Sequence, residues 1–309
     1  MEKNFQTPIL FLIFNRPDET RLVFDRIKLQ KPKYLYIAAD GPRNMVAGEK
    51  EVCEQTRNII KEINWDCQLK TLFREENLGC GRAISGAIDW FFENVEQGII
   101  IEDDCLPDDS FFSFCEEMLE KYKNNERVGM ISGDNFLFNN FQIKDSYYFS
   151  KFPHIWGWAT WKRAWAKYDF TMSKWLEFKN SKEFKTKFPN ITSRYYWRNI
   201  FNKVYGGKIN TWDYQWALTC FLNNFLSVAP KYNLIRNIGF GGVNATHTNS
   251  QGGKFANMAT GSLKLPLTHP TEIKDIKNFD NYIQKNNFCW WKMLIKNILP
   301  KNILKILRK

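Results

Sequence analysis

Short apolar runs alternate with stretches of helical spacing through the first 135 residues, and this alternation constrains the fold most. The apolar runs lack polar alternation, which is typical of strands covered on both faces. Strands separated by helices form βαβ units and a mostly parallel sheet. The predicted strands are 8–14, 34–39, 69–73, 98–101 and 128–131, and the predicted helices are 21–29, 46–63, 83–95 and a segment ending near Tyr122 that Asp109 and Ser110 can cap.

Polar side chains follow four of these runs at the point where each run stops. Because the carboxyl ends of parallel strands meet at one edge of the sheet, we expect these groups to lie together, where such sheets bind ligands. They are Asn15, Arg16, Asp40, Arg74 and the triplet Glu102, Asp103 and Asp104.

The acidic triplet at 102–104 is the most informative of these groups. Three consecutive carboxylates repel one another unless a cation is present. Mg²⁺ and Mn²⁺ prefer oxygen ligands and bridge to substrate phosphates, so the triplet indicates a divalent metal site. The alternative is a solvated acidic turn that caps the next helix.

The formal charge of +11, from 44 basic and 33 acidic residues, favours an anionic partner. Nucleic acid, an anionic membrane and a phosphorylated substrate all fit that charge. No helix-turn-helix, RRM or zinc pattern is visible, so we expect no nucleic-acid partner.

The seven cysteines are scattered without a C-x-x-C pair, which favours free thiols in a reducing cytosol. The first residues lack the layout of a signal peptide, and no apolar run is long enough to span a membrane. We therefore expect a cytoplasmic protein.

Three parts are predicted: a regular α/β half (1–135), a less regular half rich in Trp, Tyr and Gly (136–265), and a basic tail (266–309). We expect the second half to pack directly on the first. The end of the tail interleaves apolar residues with Lys and Arg and is broken by Pro300. It resembles an interfacial helix on an anionic membrane, which predicts peripheral contact at the inner membrane face. Docking on the protein's own core and oligomerisation are the alternatives.

The stretches 77–83 (NLGCGRA) and 98–112 (GIIIEDDCLPDDSFF) resemble the nucleotide-sugar domain of GT-A glycosyltransferases. They are similar to bacterial family-2-like enzymes of polysaccharide clusters and to the N-acetylglucosaminyltransferase I group. The start of the chain, 8–17, fits the same family. The resemblance covers about residues 7–250 and implies a GT-A α/β fold, Rossmann-like, with a mixed, mostly parallel sheet flanked by helices. It also implies that 1–135 is the nucleotide-sugar-binding half and that 136–265 is the acceptor-binding and catalytic half.

The resemblance also assigns roles around a nucleoside diphosphate sugar donor. It implies that Asp104 ligates Mn²⁺ or Mg²⁺ and that the preceding acids contact ribose and sugar. It places other residues at the base or the diphosphate, although each arginine could equally be a surface residue. The implied donor contacts are Glu102, Asp103, Asn15, Arg16, Asp40, Arg43 and Arg82.

The segment from His154 to Trp158 matches the glycine-bearing loop that GT-A enzymes place near the donor sugar. Gly157 would allow close backbone approach, and Trp156 and Trp158 would stack on a sugar. The alternative is an aromatic core turn.

Two further positions match the family's catalytic machinery. Asp213 corresponds to the carboxylate that inverting members use as general base, although Trp212 stands where the family often has an acid. Its alternative role is a helix cap. His247 corresponds to a histidine that completes the metal or diphosphate site, and it could instead be structural.

Together these features predict metal-dependent, inverting transfer from a nucleoside diphosphate sugar, expected to be a UDP-sugar, to a cell-surface glycan precursor that can be lipid-linked. A retaining transferase on the same fold is one alternative, and a non-catalytic glycan- or membrane-binding protein is another. A nucleotidyltransferase would carry a glycine-rich loop after the first strand, where this chain has Asn15, Arg16 and Pro17.

Overall fold

A computed structural model describes residues 5–240, 255–256 and 258–288. Its centre is an eight-stranded sheet in the order β3-β2-β1-β4-β8-β6-β9-β7, beside a two-stranded sheet of β5 and β10. The strands are β1 (Ile9–Ile13), β2 (Tyr34–Ala39), β3 (Gln68–Phe73), β4 (Gln97–Glu102), β5 (Cys105–Pro107), β6 (Val128–Ser132), β7 (Tyr147–Ser150), β8 (Trp158–Trp161), β9 (Leu226–Pro230) and β10 (Ile235–Asn237).

Helices cover both faces of the large sheet and build much of the second half. They are α1 (Pro17–Gln30), α2 (Glu49–Arg57), α3 (Gly79–Asn94), α4 (Ser110–Tyr122), α5 (Lys162–Trp165), α6 (Trp175–Phe178), α7 (Lys182–Lys187), α8 (Ile191–Tyr205), α9 (Asp213–Leu222) and α10 (Lys277–Asn287). A 3-10 helix, Asn58–Glu62, follows α2. No helix in these parts of the chain is long and apolar enough to cross a bilayer.

The strand pairing confirms the predicted α/β architecture with a mixed, mostly parallel sheet. β3, β2, β1 and β4 run parallel. β8 then enters antiparallel between β4 and β6, β9 pairs parallel with β6, and β7 closes the sheet antiparallel. The predicted halves therefore share one hydrogen-bonded sheet, and the boundaries at 135 and 265 stay predictions.

The apolar side chains of β1 explain how the sheet is buried on both faces. Phe11 belongs to the core beneath α1 and α4, while Leu10 and Leu12 belong to the core beneath α3. A third core, rich in aromatic rings, lies between α8, α9 and α10. Continuous apolar runs are required because every position of β1 is buried.

Two local predictions differ from the structure. The helix predicted from residue 46 begins at Glu49, because Gly48 has a left-handed φ of 76° that ends the preceding turn. Neither Asp109 nor Ser110 caps α4 with its side chain. Asp108 does so instead, since its Oδ1 accepts from the backbone N–H of Ser110 at 3.0 Å and from its hydroxyl. The six cysteines within the described ranges are free thiols.

Candidate active site

A cavity of about 350 Å³ opens at the carboxyl ends of β1, β2 and β4, beside the start of α3. Its floor is apolar, with Leu12, Ala38 and Ala87 among the lining side chains. The predicted meeting of the strand-end polar groups is confirmed at this cavity. The polar groups on its wall include Asn15, Arg16, Asp40, Arg43, Arg74, Glu102 and Asp103.

Arg16 is the counter-cation of the acidic strand end. Its Nη1 lies 2.7 Å from Asp104 Oδ2 and 3.2 Å from Asp103 Oδ1. The backbone N–H of Phe14 also donates to Asp103, at 3.2 Å. The loop after β1 therefore holds two of the three carboxylates in place.

Burial and neighbouring carboxylates shift Glu102 and Asp103 toward their protonated forms. Burial, followed by repulsion from Asp104, Asp103 and Asp213, raises the pKa of Glu102. Burial raises the pKa of Asp103 to about 7, although Arg16 acts in the opposite direction. Burial acts to lower the pKa of Arg16, but the neighbouring carboxylates raise it above its ordinary value. A second cation at this strand end would favour the ionised carboxylates.

Asp104 lies between the large sheet and the pair of β5 and β10. Its carbonyl accepts from the N–H of Ile238 at 2.8 Å, which continues the antiparallel pairing. A Cβ built on Gly239 would collide with Asp104 Oδ2. The missing side chain at position 239 is what leaves room for this carboxylate.

Asp40 is held by the start of α3. Its carboxylate accepts from the N–H groups of Gly41, Leu78 and Gly79, all at 3.0 Å. Such a carboxylate satisfies helix N–H groups that have no partner within the helix. Asp40 therefore fixes α3 against β2 while lining the cavity.

Asn15 and Arg43 are organised by a third residue, Glu49. The Glu49 carboxylate accepts from Asn15 Nδ2 at 2.8 Å and from Arg43 Nε at 2.9 Å. Burial acts to raise the pKa of Glu49, but hydrogen bonds from Arg43 lower it overall, so the carboxylate is ionised. Sequence reasoning missed Glu49 because it begins α2 and does not directly follow a strand, so nothing local indicates that it contacts Asn15.

Arg74 and Arg82 occupy different environments. Arg74 lines the cavity, and no side-chain hydrogen bond or ion pair is found for it within the described residues. Burial lowers the pKa of Arg74 while the charge of Asp40 acts in the opposite direction. The exposed Arg82 instead stacks over Phe170, 4.9 Å from the ring centroid, and does not line the cavity. The strand-end position of Arg74 was the signal that could have ranked it above Arg82.

Asp213 is the first residue of α9 and accepts from its own helix. Its Oδ1 accepts from the N–H of Tyr214 at 2.8 Å and from the hydroxyl of Thr211. Its charge contributes to the raised pKa of Glu102, so the structure brings it to the acidic strand end. The predicted position at the start of a helix is confirmed, and Asp213 is half-buried.

The two indoles of the Trp156–Trp158 turn lie in different environments. Trp158 is 1% exposed and packs with Trp212, Trp165 and Trp216, so it forms core and offers no face to a ligand. Trp156 is half-buried beside Phe136. Of the two indoles, Trp156 is therefore the one that could still stack on a sugar.

The end of β6 clamps this turn, a role that sequence reasoning missed. Asp134 Oδ2 accepts from the N–H of Trp156 at 2.9 Å, and the N–H of Gly133 donates to the carbonyl of Gly157 at 2.8 Å. Gly157 has a φ of 58°, and a Cβ there would collide with Ile235. The polar residues after β6, at the same sheet edge, were the available signal.

His247 and the basic end of the tail lie outside the described residues, as does the predicted contact of that tail with a membrane. Within the described ranges, no group of three or more His, Cys, Asp or Glu side chains is arranged to hold a metal. A metal here would thus rely on one or two carboxylates, and its remaining ligands would come from elsewhere.

No protein-family model matches the chain, and no curated protein matches it. Among solved structures, it is similar to a cytidylyltransferase from Leptospira borgpetersenii, with 11% identity over 54% of this chain and 64% of that chain, and a TM-score of 0.34. It is also similar to an apo UDP-glucose pyrophosphorylase, with 12% identity over 74% of this chain and 93% of that one, and a TM-score of 0.35. The chain thus spans less than two thirds of the first of these structures. Likeness at this distance assigns no activity, and the α/β fold rests on the sheet itself.

Proposed function

We propose that the protein is a metal-dependent, inverting glycosyltransferase of the GT-A type that uses a nucleoside diphosphate sugar. One observation carries the proposal: a nucleoside-sized cavity lies beside a buried acidic strand end, and both meet at the carboxyl edge of the sheet. This edge is where ligands of open α/β sheets bind.

The cavity suits a nucleoside on chemical grounds. Its volume of about 350 Å³ falls in the range of ligand pockets. Apolar lining residues offer a surface for a base, while Asp40 and Asn15 offer oxygen and amide groups at its edge. Arg74 supplies a cation without a described partner, which suits a phosphate or a base carbonyl. We take the base to be uracil, and the experiment below tests it.

The acidic strand end fits Mg²⁺ or Mn²⁺. These ions accept one or two carboxylates and complete their shell with substrate phosphates and water. Asp104 is the ligand, Asp103 and Glu102 are its neighbours toward ribose and sugar, and Gly239 leaves the carboxylate room. The ion would offset charge on the leaving diphosphate. Arg16 adds a permanent positive charge on the same side.

Asp213 is the general base in this proposal. It removes the proton from the acceptor hydroxyl as that oxygen attacks the anomeric carbon, which inverts the configuration. Its hydrogen bonds to Thr211 and to the N–H of Tyr214 orient the carboxylate on α9. The acceptor we propose is a cell-surface glycan precursor, lipid-linked at the inner membrane face, with the basic tail as a peripheral membrane contact.

The loop after β1 argues against a nucleotidyltransferase. Residues 14–17 (FNRP) contain no glycine, and α1 begins directly at Pro17. The one basic side chain of this loop, Arg16, is ion-paired with Asp103 and Asp104.

A thermal-shift panel of nucleoside diphosphates, with and without Mn²⁺, tests the donor site. A ligand at 100 times its Kd stabilises the folded state by about 2.7 kcal/mol. We expect UDP with Mn²⁺ to raise the Tm of the wild type and not of Asp104→Asn. Asp109→Asn, which removes an exposed carboxylate that pairs with Arg26, is the matched control and should behave as wild type.

Two results would overturn parts of this proposal. If no nucleotide shifts the Tm, a non-catalytic glycan- or membrane-binding protein becomes the better description. If the shift with UDP and Mn²⁺ survives in Asp104→Asn, the metal assignment is wrong. The anomeric configuration of the product, read by NMR, separates the inverting from the retaining mechanism.

A further inference from the structure

The outer face of α8 carries exposed aromatic, aliphatic and cationic side chains on one stripe. Ile191, Tyr195, Arg198, Asn202 and Tyr205 are all exposed and follow one another at intervals of four and three residues. This spacing places them on a single helix face. Together with Asn199, Lys203 and Lys208 they form what we name the α8 surface.

We infer that the α8 surface docks the protein on an anionic phospholipid membrane. This inference does not rest on the proposed activity, and it concerns a part of the chain separate from the basic tail. The partner is the lipid surface itself, and the charge, exposure and position of α8 support it.

Unpaired positive charge is the first argument. Residues 190–210 contain four basic residues and no Asp or Glu. A cleft of about 350 Å³ on this face is lined by Tyr195, Arg198, Asn199, Asn202, Lys203 and Lys208. Within the described residues, no ion pair joins Arg198, Lys203 or Lys208 to a carboxylate. Each Lys or Arg near an anionic bilayer contributes roughly 1 kcal/mol, which is about fivefold in binding.

The cationic cleft is held in shape rather than left loose. Arg198 Nη2 donates to the carbonyl of Lys179 at 2.8 Å, and its guanidinium stacks over Phe184 at 5.6 Å. These contacts bring the basic segment around α7 beside α8. Exposed Lys182 and Lys185 add further charge there, partly offset by Glu183.

Exposed apolar side chains favour a membrane over a nucleic acid. Ile191 is 74% exposed, and the rings of Tyr195 and Tyr205 are 40% and 44% exposed. Tyrosine is enriched at membrane interfaces because its ring is apolar and its hydroxyl is wet. An exposed isoleucine gains from the boundary of the acyl chains, whereas a phosphate backbone offers it nothing.

The position of the α8 surface connects it to the cavity. The 15 residues of α8 span about 22 Å. Lys208 follows the helix, and Asn210, two residues later, lines the cavity and accepts from the N–H of Gly81 at 3.0 Å. A bilayer on the α8 surface would therefore lie against the rim of the cavity.

Vesicle co-sedimentation of the full chain tests the inference. Vesicles of phosphatidylglycerol with phosphatidylcholine are compared with phosphatidylcholine alone, at two salt concentrations. The variant is the triple substitution Arg198→Gln, Lys203→Gln and Lys208→Gln. We expect about a hundredfold weaker partition to the anionic vesicles, since three charges are lost. Ile191→Ser alone should weaken partition several-fold.

The matched control removes the same charge elsewhere. Lys50→Gln, Lys61→Gln and Lys121→Gln alter exposed lysines in the first half, for which the structure shows no ion pair. This triple variant should lose far less binding. Equal losses in both triple variants would show that only net charge matters, and unchanged binding in the α8 variant would leave the tail as the membrane contact. Either result overturns the inference.

A polynucleotide arm distinguishes the other macromolecular partner. If the α8 triple variant loses binding to single-stranded RNA but not to anionic vesicles, the surface serves nucleic acid and the inference is wrong. Nucleotide-dependent thermal shifts with Mn²⁺ should be the same in all these variants. Vesicle binding tests the α8 surface and the thermal shift tests the nucleotide site, so the two proposals can fail independently.

Discussion

The acidic strand end and the Trp156–Trp158 turn were both expected to contact a donor, yet they differ in how their side chains are exposed. The carboxylates of Asp103 and Asp104 lie at the sheet edge, held by Arg16. The indole of Trp158 is 1% exposed and stacks on Trp212, with centroids 5.6 Å apart. The first region presents charge, and the second is mostly core.

The two regions nevertheless meet in one element. Trp212, which Trp158 stacks on, directly precedes Asp213 at the start of α9. Asp213 in turn adds to the raised pKa of Glu102 at the acidic strand end. The aromatic turn thus holds the helix that brings a carboxylate to the charged region. In the proposed mechanism the carboxylates would do the chemistry, and the packing of Trp158 on Trp212 fixes the position of the helix that carries Asp213.

The largest expected effect is the loss of turnover when Asp213 is replaced. Asp213→Asn keeps the size of the side chain and an oxygen for Thr211 and the N–H of Tyr214, but it cannot take a proton. We expect turnover to fall about 10²- to 10⁴-fold, with UDP binding and stability almost unchanged. Steady-state kinetics and the UDP thermal shift measure this. Glu177→Gln, which changes an exposed residue in the second half, is the control. Normal turnover in Asp213→Asn would show that Asp213 is not the general base.

The second prediction compares the two indoles of the turn. Trp158→Ala should lower the free energy of unfolding by about 3–5 kcal/mol, because it empties a site surrounded by three other tryptophans. Trp156→Ala should cost clearly less, since its ring is half-buried. Urea unfolding of both variants gives the answer. Equal losses would mean that Trp156 is core as well, and that no face of the turn is left for a sugar.

The third prediction uses pH to probe the same turn. Burial lowers the pKa of His154 to about 3 from its ordinary 6.5, so between those values the unfolded chain binds a proton that the folded chain does not. The His154 contribution to stability therefore falls as the pH falls through this window, by about 2–3 kcal/mol at pH 4.5, while the raised pKa of Asp103 acts in the opposite direction. His154→Phe should flatten that part of the stability profile. An unchanged slope would show that His154 is solvated or charged in the folded state.

The smallest expected effect concerns the room beside Asp104. In Gly239→Ala the new Cβ would collide with Asp104 Oδ2, so the carboxylate must turn away. We expect the affinity for Mn²⁺ in the presence of UDP to fall about tenfold, about 1.4 kcal/mol, with the fold intact. Titration calorimetry measures it. Gly206→Ala is the control, because Gly206 lies on an exposed loop and has a φ of −82°. The neighbouring Gly207 is not suitable, because its φ of 69° would strain any side chain.

Backbone topology explains what the sequence could predict. The first four predicted strands form in parallel, so Asn15, Asp40 and Glu102 had to meet at one edge. That prediction needs only the direction of each strand. It does not need the direction of any side chain, which is why the charged region was predicted better than the aromatic turn.

The remaining features depend on contacts between distant segments. Nothing local in residues 158–161 indicates that β8 enters between β4 and β6, because its pairing partners lie far along the chain. Asp40 was predicted at the base of a nucleotide, but its capping of α3 depends on how β2 and α3 pack. Trp158 and Trp156 have the same residue type and differ only in burial, which tertiary packing decides.

The insertion of β8 has a consequence for how the molecule comes apart. Its backbone is hydrogen-bonded to β4 on one side and to β6 on the other, so neither predicted half keeps a complete sheet if β8 leaves. Local opening follows cooperative units, and this strand ties two of them together. Native-state hydrogen exchange should therefore find the amides of β8 among the slowest, exchanging only when the whole molecule opens. The two halves should therefore unfold in one transition. The pairing of β8 with both β4 and β6 makes them a single folding unit.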